Sequence, residues 1–221
     1  EAMFTLLLSA QEFPKGTITI ASVDPGVGTE RRSIILETKD QRIFIAPDNG
    51  ILTLVMNKHG VKQVREITDR SLFRAEGVSR SFAGRDVFGP VAAHISNGFK
   101  IEECGSEIKD YEIIPVRSPE MKDKKIVGEV IYIDKYGNIQ VNFGSYFLKA
   151  AGIGLGDRVK IKLGNRNVKA VFASTYGYVD EGSFVLFEAS TDFMEIARNE
   201  SSAERYFTAK LGDVVEIEKI K

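Results

Sequence analysis

The chain has a single cysteine, Cys104, among 221 residues and therefore cannot form an internal disulfide. No second motif marks this cysteine as a nucleophile, and we interpret it as a structural thiol. Neither sign of charge is in excess, because 30 basic residues are matched by 31 acidic ones. The chain thus lacks the basic field that holds a phosphate backbone, which disfavours a nucleic-acid partner.

Long apolar runs are lacking as well. The sequence contains no stretch of about 18 uninterrupted apolar residues, which excludes a hydrophobic membrane span. Its opening segment, EAMFTLLL, has no basic n-region of the kind that begins a signal peptide. We therefore expect a cytoplasmic protein without a membrane partner.

The glycine-rich segment at 26–31 fits neither common nucleotide-binding fingerprint. Arg31 occupies the place of the third glycine of a dinucleotide motif, a β-branched run follows it, and Gly-Lys-Ser/Thr is missing. What remains is a carboxylate, Asp24, and the Arg31 guanidinium on a sharp turn between two predicted strands, where α/β proteins build sites. Alone, this loop is equally compatible with an ordinary turn that carries a surface ion pair.

Composition and periodicity predict a globular protein of two domains. Hydrophobic residues make up 43% and charged residues 28% of the chain, as in ordinary globular proteins. Strands alternating with helices predict an α/β domain with a mainly parallel central sheet over residues 1–117. The polar segment 118–125 is predicted to be a linker. Short, regularly spaced strands predict a small antiparallel β-barrel over 126–221.

The predicted elements follow from these patterns. In the N-terminal domain they are a helix over 2–12, strands over 17–23, 33–38, 42–46 and 62–67, and a short helix from 51. Asp48 and Asn49 are residue types that cap such a helix. The predicted barrel strands are 126–133, 139–143, 158–163, 167–173, 183–188 and 213–219.

Five segments in this order carry a resemblance to a known family. They are V-D-P-G-V-G-T-E-R-R at 23–32, A-P-D-N-G-I-L-T at 46–53, S-F-A-G-R-D-V-F-G-P-V-A-A at 81–93, D-K-Y-G-N-I-Q-V-N at 134–142 and, more loosely, S-T-D-F-M-E-I-A-R-N at 190–199. Together they resemble the S-adenosylmethionine hydroxide adenosyltransferases, relatives of the fluorinase and chlorinase enzymes. The resemblance extends over essentially the whole chain.

The resemblance implies a concrete reaction. Water would cleave S-adenosylmethionine at the C5′–sulfur bond and release adenosine and methionine, with no cofactor and no metal. It also implies a homotrimer whose sites lie between the N-terminal domain of one subunit and the C-terminal domain of its neighbour. Because a sulfonium is already an activated leaving group, such an enzyme must mainly desolvate the nucleophile and hold it in line with C5′.

The resemblance also assigns roles to individual residues. Asp24 and Arg31 match two members of the Asp-Arg-His set of the hydrolases, and Ala83 stands at the position of the histidine. The implied substrate-binding residues are Phe82 and Gly84 in the reacting region, Asp134 and Asn138 near the methionine amino group, Ser190 at the methionine carboxylate, and Arg198 and Glu200 at the adenine edge. A carboxylate at position 24 would repel a halide and favours water as the nucleophile.

Three departures from the family pattern weaken the expectation of activity. Ala83 cannot accept a proton, and loss of a general base typically slows a reaction by ~10²–10⁴-fold. The β-α-β segment with which family members open is absent ahead of the first helix, so we expect an incomplete site. Thr191 stands where halide-using members carry an arginine, which weakens the assignment of Ser190.

Other functions remain open from the sequence alone. The first is an adenosine or S-adenosylmethionine binder that is catalytically weak or inactive, for which Ala83 is the motivation. A second is a protein- or RNA-binding barrel domain, whose RNA version the balanced charge disfavours. A third is a halide-transferring enzyme, which Asp24 disfavours.

Overall fold

The structure, a computed structural model, describes residues 1–220. These residues form two compact units, the first from Glu1 to Pro115 and the second beginning at Val116. Among the described residues, no helix combines the length and the apolar character needed to cross a membrane.

The first unit combines helices with a small sheet. Its elements are α1 (Ala2–Gln11), β1 (Ile18–Ile20), β2 (Ser33–Thr38), β3 (Ile43–Pro47), α2 (Thr53–His59), β4 (Val61–Glu66), a π-helical turn (Gly84–Phe88) and α3 (Gly89–Ser96), with 3-10 turns at Arg70–Leu72 and Ile101–Glu103. Within residues 1–220 the strand order of this sheet is β1-β3-β2-β4.

The sheet is mixed, and the prediction of a mainly parallel sheet is wrong. β1 runs parallel to β3, but β2 pairs antiparallel with both β3 and β4. Residues 39–42 alone separate β2 from β3. A parallel crossover requires about a dozen residues or more, so a hairpin is the connection that this spacing allows.

This topology brings several loops to one end of the sheet. β1 and β3 end there and β2 begins there, because β2 runs in the opposite direction. The π-helical turn packs over the same sheet, since Val87 and Phe88 share a buried cluster with Ile35 and Ile45. The segments that follow β1, precede β2 and follow β3 are therefore neighbours.

Cys104 belongs to the same buried cluster and is fully enclosed. Burial raises the pKa of its thiol to about 11. The thiolate is therefore disfavoured near neutral pH, which agrees with a structural role.

The second unit is built around a closed barrel. Its elements are β5 (Glu120–Lys122), β6 (Lys125–Ile133), β7 (Ile139–Val141), α4 (Ser145–Ala150), β8 (Arg158–Leu163), β9 (Arg166–Phe172), a 3-10 turn (Tyr176–Tyr178), β10 (Phe184–Glu188), β11 (Met194–Arg198), α5 (Ala203–Phe207) and β12 (Val214–Lys219). In the described part of the chain, seven strands form a ring in the order β12-β8-β9-β10-β11-β7-β6, which closes where β12 pairs with β6.

The predicted antiparallel barrel is confirmed except at one pair. β9 and β10 run parallel, whereas the other neighbours in the ring are antiparallel. Residues 173–183 form the longer connection that such a parallel pair needs. Every second side chain of a strand points into the barrel. In β8 the side chains of Val159, Ile161 and Leu163 are buried, and the residues between them are exposed.

The segment 118–125, expected to be a linker, contains β5 and the start of β6. Lys122 pairs with Lys125 across a two-residue turn. Both turn residues, Asp123 and Lys124, have positive φ angles of 49° and 64°. Such angles suit a tight hairpin, and its charged residues resemble linker composition.

We expect Ile217→Ala to destabilise the barrel. The side chain of Ile217 is fully buried in β12, the strand that closes the ring. Its truncation should lower the free energy of unfolding by about 2–5 kcal/mol, because it removes buried methyl groups and leaves a cavity. Urea unfolding measures this change. Glu218→Gln on the exposed face of the same strand is the control, and an equal loss in both variants would contradict the expectation.

Candidate active site

The loop between β1 and β2 holds Asp24 and Arg31 in direct contact. Arg31 Nε lies 3.0 Å from Asp24 Oδ1, with the two side chains 30% and 10% exposed. The same carboxylate oxygen accepts a hydrogen bond from Gly26 N at 2.9 Å. Val27 N donates to the carbonyl of Asp24 at 3.2 Å, which closes a turn around Pro25. The turn itself therefore orients the carboxylate toward the guanidinium.

The absence of a side chain at Gly26 leaves room for the guanidinium where it crosses this turn. A Cβ atom on Gly26 would lie 2.5 Å from Arg31 Nη2, far inside van der Waals contact. Gly28 adopts a φ of +87°, a conformation that other residues rarely tolerate. Gly26 thus leaves space for the ion pair, and Gly28 allows the chain to reverse.

The π-helical turn faces this loop. Gly84 approaches Ser22 so closely that a Cβ atom on it would lie 3.1 Å from Ser22 Cβ. Ala83 is half-buried, and Phe82 is exposed with the Arg85 guanidinium 4.8 Å from its ring centre. A glycine at position 84 lets the segment 82–84 approach the end of β1.

Two adjoining cavities of about 390 Å³ and 280 Å³ form a cleft between the loop and the π-helical turn. Asp24, Val27, Ala83 and Phe88 line both cavities. Arg31 lines the larger one, and Phe82 and Gly84 line the smaller one. The structure therefore brings together all five candidate residues of the first unit.

Further cations surround the cleft. Arg32 and Arg80 line the larger cavity, and sequence reasoning missed both of them as lining residues. Arg80 immediately precedes the segment 81–93, and this adjacency is the signal that could have identified it. Hydrogen bonds to Asp110 and Asp48 raise the pKa of the Arg32 guanidinium. The Arg32 guanidinium is therefore already bound by the carboxylates of Asp110 and Asp48.

The π-helical turn itself contains a buried carboxylate, Asp86. It binds the Arg85 guanidinium at 2.7 Å and accepts a hydrogen bond from Ser79 N at 2.8 Å. The hydrogen bonds from Arg85 and Ser79 hold the pKa of Asp86 well below its usual range. Asp86 thereby fastens the segment that precedes Ala83.

Neither histidine of the chain lines the cleft. His59 ends α2, and its Nδ1 lies 3.0 Å from Asp40 Oδ2. Burial raises the pKa of Asp40, but hydrogen bonds from Thr38 and His59 outweigh it and bring the value to about 2. His94 is exposed on α3, with its ring 6.2 Å from that of Phe99. The position of Ala83 thus has no imidazole near it.

In the second unit, Asp134 and Asn138 form a self-contained turn. Asp134 Oδ1 accepts hydrogen bonds from Tyr136 N and Asn138 N, and Asp134 Oδ2 accepts one from Asn138 Nδ2 at 3.0 Å. Among residues 1–220, no cationic side chain forms an ion pair with Asp134. The structure places the side chains of these two residues in direct contact.

The other candidate residues of the barrel lie at the two ends of β11. Ser190 is exposed in the connection before this strand, and Arg198 ends it. The Arg198 guanidinium lies over the rings of Phe184 and Tyr206, and its Nε donates to Gly182 O at 2.8 Å. Glu200 has a φ of +52° in the turn that follows. Ser190 is thus separated from Arg198 by the length of the strand.

A buried carboxyl group on β11 escaped sequence analysis. Glu195 is 7% exposed and accepts a hydrogen bond from Gln140 Nε2 at 2.8 Å. Burial raises its pKa. Within the described residues, no cluster of three or more His, Cys, Asp or Glu side chains is arranged to hold a metal ion.

Comparison with known proteins identifies the family. The family model of the SAM hydroxide adenosyltransferase N-terminal domain matches residues 1–105, and that of the C-terminal domain matches residues 128–216. The chain therefore belongs to the S-adenosylmethionine hydroxide adenosyltransferase family, as its sequence motifs suggested.

Individual relatives agree with this placement. The (R)-S-adenosyl-L-methionine hydrolase of Methanocaldococcus jannaschii is 31% identical over 97% of this chain and 76% of the relative. A fluorinase of Nocardia brasiliensis is 28% identical over 93% of this chain and 77% of the relative. The crystal structure of a conserved protein from Thermotoga maritima matches with a TM-score of 0.90 and 37% identity, over 98% of this chain and 82% of that one.

We expect Gly26→Ala to separate Asp24 from Arg31 without unfolding the chain. The added methyl group would lie 2.5 Å from the present position of Arg31 Nη2, so that the guanidinium has to move. A crystal structure of the variant should show Arg31 Nε beyond about 4 Å from Asp24 Oδ1, the limit for an ion pair. Gly177→Ala is the control, because a Cβ atom there meets no neighbour within 4 Å. An unchanged ion pair in Gly26→Ala would refute the expectation.

Proposed function

We propose that this chain hydrolyses S-adenosyl-L-methionine to adenosine and L-methionine. The observation that carries the proposal is the Asp24–Arg31 ion pair in the wall of a cleft, in a chain whose relatives include S-adenosylmethionine hydrolases. A carboxylate in this place suits a neutral nucleophile, because it would repel a halide ion. Water therefore fits the site better than the nucleophile of the fluorinase relatives.

The reaction balances with water alone. The water oxygen forms a bond to C5′, the C5′–sulfur bond breaks, and its electron pair neutralises the sulfonium to give methionine. One proton is released. Asp24 would hold the attacking water by accepting a hydrogen bond, and Arg31 would fix the carboxylate in place. Catalysis of this kind consists mainly of positioning and of excluding bulk water.

The barrel would supply the remaining substrate contacts. Asp134 forms no ion pair in the described residues and thus suits the methionine ammonium group, with Asn138 beside it. We assign Ser190 to the methionine carboxylate and the segment of Arg198 and Glu200 to the adenine edge. Phe82 and Gly84 would border the reacting carbon. The resemblance to the family supports a homotrimer with composite sites between subunits.

A second candidate function is binding of S-adenosylmethionine or adenosine with weak or no turnover. Ala83 favours it, because its methyl group accepts no proton and neither histidine lines the cleft. Calorimetry with S-adenosylmethionine, combined with an assay for adenosine, separates the two functions. Binding without adenosine release would favour the binder.

We expect Asp24→Asn to reduce adenosine release by roughly 10²-fold while KM stays within a few-fold, because the amide misplaces the nucleophile. Liquid chromatography of adenosine and methionine measures the rate. Glu76→Gln, which breaks the exposed pair with Arg74, is the matched control. Full activity of Asp24→Asn, or formation of a 5′-halogenated adenosine in halide solution, would overturn the proposed reaction.

We expect Ala83→His to increase kcat by ~10²–10⁴-fold, because an imidazole beside Asp24 supplies a proton acceptor that works near neutral pH. The same adenosine assay measures the gain. Ala93→His on the exposed side of α3 controls for an added histidine elsewhere. Tight binding of S-adenosylmethionine without any adenosine from Ala83→His would leave the binder as the function of this chain.

A further inference from the structure

The turn formed by Asp48 and Asn49, which follows β3, holds the Asp24 loop at two points. Arg31 Nη1 donates to the main-chain carbonyl of Asp48 at 3.1 Å. Asn49 Nδ2 donates to the main-chain carbonyl of Val23, also at 3.1 Å. Because Val23 directly precedes Asp24, both members of the ion pair are located relative to the same turn.

The Asp48–Asn49 turn is itself firmly held. Asp48 is 4% exposed, and its carboxylate binds Arg32 Nη2 at 2.7 Å and Glu112 N at 2.8 Å. Its own N–H donates to the carbonyl of Arg32 at 2.9 Å. Asn49 Oδ1 accepts a hydrogen bond from Ile51 N at 3.1 Å. The turn therefore provides a fixed reference for the loop.

Helix capping does not account for these two side chains, although the sequence suggested it. α2 begins only at Thr53, its N-cap residue is Leu52, and no side chain caps it. The Asn49 side chain bonds two segments: its Oδ1 accepts from Ile51 N in the turn ahead of α2, and its Nδ2 donates to the carbonyl of Val23, the residue before Asp24. The second bond reaches outside the turn that leads into α2.

We propose that Asn49 is a positioning residue for the Asp24–Arg31 pair. Its amide fixes the Val23 carbonyl and so sets where Asp24 leaves β1, while the carbonyl of Asp48 sets where the Arg31 guanidinium lies. Asn49 itself does not line the cleft. As far as turnover is concerned, this inference rests on the proposed hydrolysis. A displacement of about 1 Å at a reacting group can cost ~10²-fold in rate.

The test is Asn49→Asp, an isosteric change. The carboxylate still accepts from Ile51 N but presents an oxygen to the Val23 carbonyl, so that the bond is replaced by repulsion. We expect kcat for adenosine release to fall roughly 10- to 100-fold with KM within about twofold, because the substrate contacts persist and only the alignment changes.

The matched control is Asn97→Asp. Asn97 Nδ2 also donates to a main-chain carbonyl, that of Ala93 at 2.9 Å, but on the exposed end of α3. Its kcat should remain that of the parent chain. A kcat for Asn49→Asp within twofold of the parent value would overturn the inference.

Hydrogen exchange provides a readout that does not depend on turnover. The amides of Gly26 and Val27, which donate to Asp24, should exchange faster in Asn49→Asp, with β2 and β3 unchanged, whereas Asn97→Asp should leave the exchange of both amides unchanged. Faster exchange throughout the first unit would indicate a general loss of stability and would overturn the positioning role. If the parent chain releases no adenosine, the proposed hydrolysis fails. The exchange experiment still tests the role of Asn49: faster exchange confined to the loop supports it, and unchanged exchange of the loop contradicts it.

Discussion

The ion pair of the half-buried Arg32 with the buried Asp48 is the interaction on which the cleft depends. It joins the start of β2 to the end of β3, and Glu112 N binds the same carboxylate from a distant part of the chain. Removing Arg32 would leave the Asp48 carboxylate, which is only 3% exposed, without its counter-charge. The pair also joins the loop between β1 and β2 to the turn that follows β3. The Asp24 loop and the Asp48–Asn49 turn both take their positions from it.

The strands of the barrel were largely predictable because apolar and polar residues alternate along a strand that has one face toward the interior and the other toward solvent. The prediction 158–163 coincides with β8, whose buried and exposed residues alternate strictly. β11 was missed, since it is buried on both faces and shows no such period. The hairpin of β2 and β3 was within reach of sequence reasoning. The two predicted strands were three residues apart, too close for a parallel crossover.

Candidate residues that are close in sequence were found more readily than those joined by tertiary contacts. Asp24 with Arg31, and Asp134 with Asn138, form their contacts within one turn each. The contact of Gly84 with Ser22 links residues 62 positions apart in sequence, and that of Asp48 with Glu112 links residues 64 positions apart. No local pattern encodes such pairs. For Asn49, residue type alone suggested a cap, because the same amide chemistry serves caps and loop contacts.

The pairing of β12 with β6 has a consequence for synthesis of the chain. These strands join Ile126 to Ile217, nearly the whole length of the second unit. Until β12 has emerged from the ribosome, β6 and β8 each present an open edge of the kind that recruits foreign strands. Loop closure over such a separation is slow, so the nascent barrel remains exposed to chaperones and to aggregation until β12 has been translated and has paired. Translation that stops before β12 would then yield an open sheet rather than a smaller barrel.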